Sequence, residues 1–162
     1  MKKLLFLSVG VFLSLFLAGC GDDEENNSNP QDIGEIRTFF ERCLTEETGN
    51  DFFTLCKQQD TCYIVNNRKQ FHSLYAGNEK LPEIDFKNYT LLLGKSFHTA
   101  GLTPICQEPE IEVSQSNAIV KLVFEDDGMT KILSMEDYYY WKIIPKCDLK
   151  HVEVNTVVNR CY

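Results

Sequence analysis

Histidine is scarce in this 162-residue chain, which has only His72, His98 and His151. None has a second histidine four positions away, so no helical metal pair exists. The chain also lacks a Gly-Lys phosphate loop, a Gly-x-Ser-x-Gly elbow and a dinucleotide fingerprint. No catalytic residue, metal site or cofactor is assigned on these grounds. Carboxylate pairs obey no spacing rule, however, so an enzyme built on one would leave no motif. Positive charge is short as well, with 16 Lys and Arg against 24 Asp and Glu. An acidic chain without a basic stripe argues against nucleic acid and against electrostatic docking on anionic lipid. Only one long apolar run is present, Leu4 to Leu17, broken by Ser8, Gly10 and Ser14. It falls short of the roughly 20 residues a spanning helix needs and suits a signal-peptide core.

Lys2 and Lys3 supply the positive flank of that core, and Leu17-Ala18-Gly19-Cys20 follows it. This junction resembles the lipobox of bacterial lipoproteins. The resemblance implies removal of residues 1–19 and acylation of Cys20, which becomes the first residue of a 143-residue mature chain. Each buried methylene of an acyl chain contributes about 0.8 kcal/mol, so two or three chains hold a protein at a bilayer almost permanently. Residues 20–31 then form an acidic tether, Gly21-Asp22-Asp23-Glu24-Glu25-Asn26-Asn27-Ser28-Asn29-Pro30 after the anchor. Nothing in it can be buried, and it is expected to hold the body some 20 Å from the lipid as a disordered coil. Acidic residues directly after the lipidated cysteine resemble the surface-export signal of Bacteroidota lipoproteins. The expected location is the outer membrane, on its periplasmic or cell-surface face.

Six cysteines remain beyond the anchor: Cys43, Cys56, Cys62, Cys106, Cys147 and Cys161. An even number in an exported domain points to disulfides, with fifteen connectivities open. A zinc site is the rival reading, but Cys56 and Cys62 lack the tight spacing of structural zinc motifs.

Residues 32–162 read as one β-rich domain. Asp32-Ile33-Gly34-Glu35 resembles a capping box, and Ile33, Ile36, Phe40, Cys43 and Leu44 fall at helical spacing over about 33–44. Asp51 to Gln59 adds a helical turn, and Thr61 to Val65 reads as a strand. Asn67 caps a short helix carrying Phe71, Leu74 and Tyr75, with Gly77 as a left-handed stop. The leucines at 91–93 suit a strand covered on both faces. Ile105, Ile111 and Val113 mark an extended region that Pro109 confines to an edge or bulge. Ala118, Val120, Leu122 and Phe124 alternate, and Asp127-Gly128 predicts a hairpin joining 117–126 to 129–135. Strands at 138–144 and 152–158 complete an α+β fold: an antiparallel β-sandwich or open barrel with one or two short helices packed on one side.

Several of these segments carry a resemblance. Pro82-Glu83-Ile84-Asp85-Phe86, Tyr89, Leu91-Leu92-Leu93-Gly94-Lys95 and the run Tyr138-Tyr139-Tyr140-Trp141 with Pro145-Lys146 are similar to segments of small Bacteroidota lipoproteins of unknown function. More distantly, the Asp-Phe, strand, Gly order resembles the C-terminal domain of protease complex-associated proteins. That domain often carries Thr-Gly-Gly-Tyr where this chain has Thr99-Ala100-Gly101-Leu102. The resemblance implies a β-rich fold and an association with proteases.

The aromatic run is the binding candidate. On a strand, Tyr138 and Tyr140 face one side while Tyr139 and Trp141 face the other. One pair belongs to the core, and the opposite pair either covers a second layer or offers a surface for sugars or peptides. The expected function is a membrane-anchored, non-enzymatic binding module for a protein or glycan ligand. The alternative is a small hydrolase or glycan-processing accessory using a carboxylate pair.

Overall fold

In the computed structural model of the chain, the described residues are 33–44, 49, 52, 60–99, 101–105, 108–126 and 135–160. Residues 1–19 and 20–31, expected to be the signal segment and the tether with Cys20, therefore lie outside them. The elements run α1 (Ile33–Cys43), β1 (Thr61–Val65), α2 (Arg68–Leu74), β2 (Tyr89–Thr99), β3 (Leu102–Pro104), β4 (Glu110–Ser114), β5 (Asn117–Asp126), β6 (Met135–Pro145) and β7 (His151–Arg160).

The three leucines of β2 set the layering. Leu91, Leu92 and Leu93 are all fully buried, and a strand turns successive side chains to opposite faces. Both faces of this strand must therefore be covered. In the first sheet β2 is central, with β1 antiparallel on one edge and β6 antiparallel on the other. Leu91 and Leu93 share one core with Ile36, Phe39, Phe40 and Phe71 from the two helices. Leu92 shares the other with Ala118, Val120, Leu122 and Phe124 of β5, in the second sheet. The order of layers is helices, three-stranded sheet, four-stranded sheet: an open α+β sandwich with its helices on one side.

Gly94 sits at the centre of the first sheet, between Cys62 and Tyr140. A Cβ there would collide with the Tyr140 ring and the Thr61 carbonyl. The bare backbone lets that ring lie across the strand, where its hydroxyl donates to the Thr61 carbonyl at 3.2 Å.

In the second sheet β5 carries β7 on one edge, while β4 and β3 share the other, opposite 117–121 and 124–126 respectively. The β5–β7 pairing is parallel, against the all-antiparallel expectation. Between these strands the chain crosses to the first sheet as β6 and returns. Two reversals restore the original direction, so a parallel partner follows.

Three local expectations change. The predicted hairpin across Asp127-Gly128 has its turn and residues 129–134 outside the described residues, and β5 already has partners on both edges. Gly77 is no left-handed stop, because Gly101 is the described glycine with positive φ. Instead α2 ends when Tyr75 turns extended, at φ −106° and ψ 117°. That turn brings its ring within 4.7 Å of Phe52 and 5.7 Å of Phe39. In α1, Ile33 is 46 % exposed and Phe39 is buried in its place. The Asn67 cap holds, with its Oδ1 accepting from the Gln70 amide at 2.9 Å. Asp32 and, Phe52 apart, the turn predicted over 51–59 lie outside the described residues. Among the described residues no helix is long and apolar enough to cross a membrane.

Candidate binding cleft

Alternation along β6 divides the four aromatics as the sequence implies. Tyr139 and Trp141 pack on the helix side, where Trp141 stacks on Phe40 at 4.8 Å. Tyr138 and Tyr140 pack on the side of the second sheet. Both faces are thus occupied, and Tyr139 and Tyr140 are buried. Tyr138 differs. It stands half-buried at the end of the inter-sheet core, edge-on to Phe124 at 5.2 Å, and lines two cavities.

The first cavity, about 220 Å³, is walled mainly by Pro104, Ile105, Pro109, Val123, Phe124 and Tyr138. Its origin is the break between β3 and β4: neither strand covers Leu122 and Val123 of β5. Just beyond Pro104 the Ile105 amide donates to the Val123 carbonyl at 2.9 Å, and Pro109 stands immediately before β4. Neither proline can donate a ladder hydrogen bond, so the break is written into the sequence.

The second cavity, about 200 Å³, shares Pro104 and Tyr138 with the first and adds His98, Glu136, Asp137 and Tyr139. Here the carboxylate of Asp137 takes hydrogen bonds on Oδ2 from Lys95 Nζ at 2.9 Å and from the Tyr139 hydroxyl at 3.3 Å. The Lys95 side chain is only 3 % exposed. Asp137 Oδ1 is buried without a hydrogen-bond partner among the described residues. His98 is the penultimate residue of β2, with its ring 4.5 Å from Phe124 and Nδ1 donating to the Thr99 carbonyl.

Glu108 forms the outer wall. Its two oxygens accept from Arg37 of α1 and Lys142 of β6, each at 2.6 Å. The Lys142 hydrogen bond, followed by the charges of Lys142 and Arg37, outweighs partial burial and pulls its pKa below the usual carboxylate range. Of these cleft residues, Tyr138 and Tyr139 belong to the aromatic run singled out in the sequence as the binding candidate. Glu136 and Asp137 carry no spacing signal, and Phe124 reads simply as core. The paired prolines around an exposed Ile105 were the available clue.

The cysteines fall on separate sides of the first sheet. Cys43 belongs to the helix-side core, whereas Cys62 and Cys147 pack against the inter-sheet core. Cys62 lies opposite Gly94, while Cys147 follows Pro145, which lies opposite Tyr89. That offset is about 16 Å along β2, against the roughly 7 Å between Cα atoms that a bridge can span. No two of these three cysteines are bridged. Cys56, Cys106 and Cys161 lie outside the described residues. If all six pair, each described cysteine goes to one of those three, which leaves six of the fifteen connectivities. Burial pushes the Cys62 thiol up to about 11, partly offset by its hydrogen bond with Tyr140. Such a thiol is protonated at neutral pH and a poor nucleophile.

Among the described residues no group of three or more His, Cys, Asp or Glu could hold a metal ion. His72 is exposed on α2 and His151 exposed at the start of β7. No family model, no curated protein and no solved structure matches the chain.

Proposed function

We propose that this chain is an exported lipoprotein, anchored through acylated Cys20 at the outer membrane on its periplasmic or cell-surface face. Its role in this reading is that of a non-enzymatic binding module for a protein or glycan. The observation that carries it is the position of the cleft. Helix α1 runs along β6, with Ile33 beside Ile143 at one end and Leu44 beside Tyr139 at the other. The anchor and tether join at Ile33, so the cavity lined by Leu44 and Tyr138 lies about 16 Å further on, the length of the helix. A leash at one end of α1 and a cavity at its other end suit a protein that presents its site away from the lipid. The resemblance to lipoproteins and to protease-associated domains supports the same reading and suggests an extracellular protease as one partner.

A hydrolase would need two carboxylates working as acid and base in a cavity. Here Asp137 is answered by Lys95 and Tyr139, an arrangement that favours the binding module. The test has two arms. In membrane fractionation the wild-type chain should partition with the outer membrane and Cys20→Ala should be released. On glycan and peptide arrays the full-length protein should give signals that Tyr138→Ser abolishes. A wild-type chain recovered wholly soluble, or array signals indifferent to Tyr138, would defeat the proposal.

A further inference from the structure

We infer that the two joined cavities at Tyr138 form a peptide-docking cleft, taking from an extended protein segment one large apolar side chain and a neighbouring Lys or Arg. This rests on the binding-module reading and narrows its ligand. Size bears on the ligand first. Each chamber, of about 220 and 200 Å³, is smaller than the about 300–1,000 Å³ of a small-molecule or cofactor site, and Tyr138 and Pro104 divide the two. A single leucine, isoleucine or phenylalanine side chain suits the apolar chamber. Its wall chemistry agrees, since the lining around Phe124 and Val123 is dominated by carbon.

A sugar would need a flat, open ring to stack on. Tyr138 instead meets Phe124 edge-on and forms the partition between the chambers. Charge then fixes the second residue. The adjoining chamber presents Glu136 and Asp137. The cation nearest to them, Lys95, is 3 % exposed and occupied by Asp137. At the far rim Lys121 is held by Glu110 at 3.2 Å, and Lys142 and Arg37 are held by Glu108. Each of these cations of the described residues is thus already engaged, and with Asp137 answered by Lys95 the chamber keeps one carboxylate, Glu136, that none of them neutralises. The complement is a positive side chain. Because one tyrosine and one proline separate the chambers, the two ligand side chains come from adjacent or alternate residues of one extended strand. Alternate residues of such a strand share a face.

The probe is a fluorescein-labelled random hexapeptide library, screened against the purified full-length protein, with individual hits titrated by fluorescence anisotropy. The expected hits pair a large apolar residue with Lys or Arg one or two positions away. Glu136→Lys should weaken such a hit by about fivefold, the scale of a partly exposed ion pair, and select acidic peptides instead. Val123→Trp should fill the apolar chamber and abolish binding, with an unchanged circular dichroism spectrum confirming the fold. Hits without a basic residue, or a preference unmoved by Glu136→Lys, would overturn the inference. If glycans alone bound in a Tyr138-dependent manner, this inference would fail and the broader reading would stand. A soluble, unanchored chain that still selected apolar–basic peptides would do the reverse.

Discussion

The two cores flanking the first sheet are built on different principles. The helix-side core is a web of rings: Phe40 packs against Phe39, Phe52, Phe71 and Trp141, and Phe39 in turn meets Phe52, Phe71 and Tyr75. The inter-sheet core is layered, with Val120, Leu122 and Leu92 stacked between strands and aromatics confined to Tyr138, Tyr140 and Phe124. Rings meeting edge-on bind short helices to a sheet without needing a continuous ladder. Aliphatic layers instead depend on strands lying in register above them. Where the register breaks, between β3 and β4, the layer opens and the cleft appears. The closed core anchors the fold and the interrupted one offers a site.

Removing one ring should test this contrast most severely. Phe40 is 1 % exposed and central to the web, so Phe40→Ala should cost about 4 kcal/mol in denaturant unfolding. Leu122, beside the cleft, sits where the surroundings can relax into an existing cavity. Leu122→Ala should fall near 2 kcal/mol, the lower end for such truncations. Equal losses at the two positions would show that the cores are equally rigid and would break the comparison.

A second difference is polar. The helix-side face of the first sheet ends in the Lys95–Asp137 pair, whose Lys is nearly fully buried. A buried ion pair is weak evidence of stability, yet removing one partner strands the other charge. Lys95→Met alone should therefore cost about 3 kcal/mol, while Lys95→Met with Asp137→Leu should recover most of it. A double variant no better than the single would mean that the pair does more than neutralise itself.

Much of this was legible in the chain. Alternation at Ala118, Val120, Leu122 and Phe124 placed the inner face of β5, the leucines at 91–93 required cover on both sides, and Asn67 marked the start of α2. Pro109 correctly signalled an edge strand. What escaped was set by distant partners. Whether β5 meets the next strand or the one after depends on which sheet β6 joins, and Asp127-Gly128 carries no information about that. Gly77 looked like a helix stop because the pull of Phe39 and Phe52 on Tyr75 is invisible locally. At the cleft, Tyr138 could be nominated by composition. Choosing it over Tyr139, Tyr140 and Trp141 required knowing where the β3–β4 break lies.

The smallest effect concerns a side chain that links the layers. Glu108 leaves the second sheet to grip Arg37 on α1 and Lys142 on β6, so it clasps the two cores at their shared border. Its pKa is lowered in the folded protein, chiefly by the Lys142 hydrogen bond. A carboxylate depressed on folding contributes stability that is complete above its unfolded pKa, about 4.3, and is lost as pH falls through its lower folded value. Glu108 is 46 % exposed, so solvent screening holds the gain below about 1 kcal/mol. Glu108→Gln should therefore be slightly less stable than wild type at pH 7 in denaturant titrations, and the gap should close as the pH drops below 4. A gap that persisted at pH 3 would locate the contribution of Glu108 in packing rather than charge, and the two cores would then be joined by shape alone.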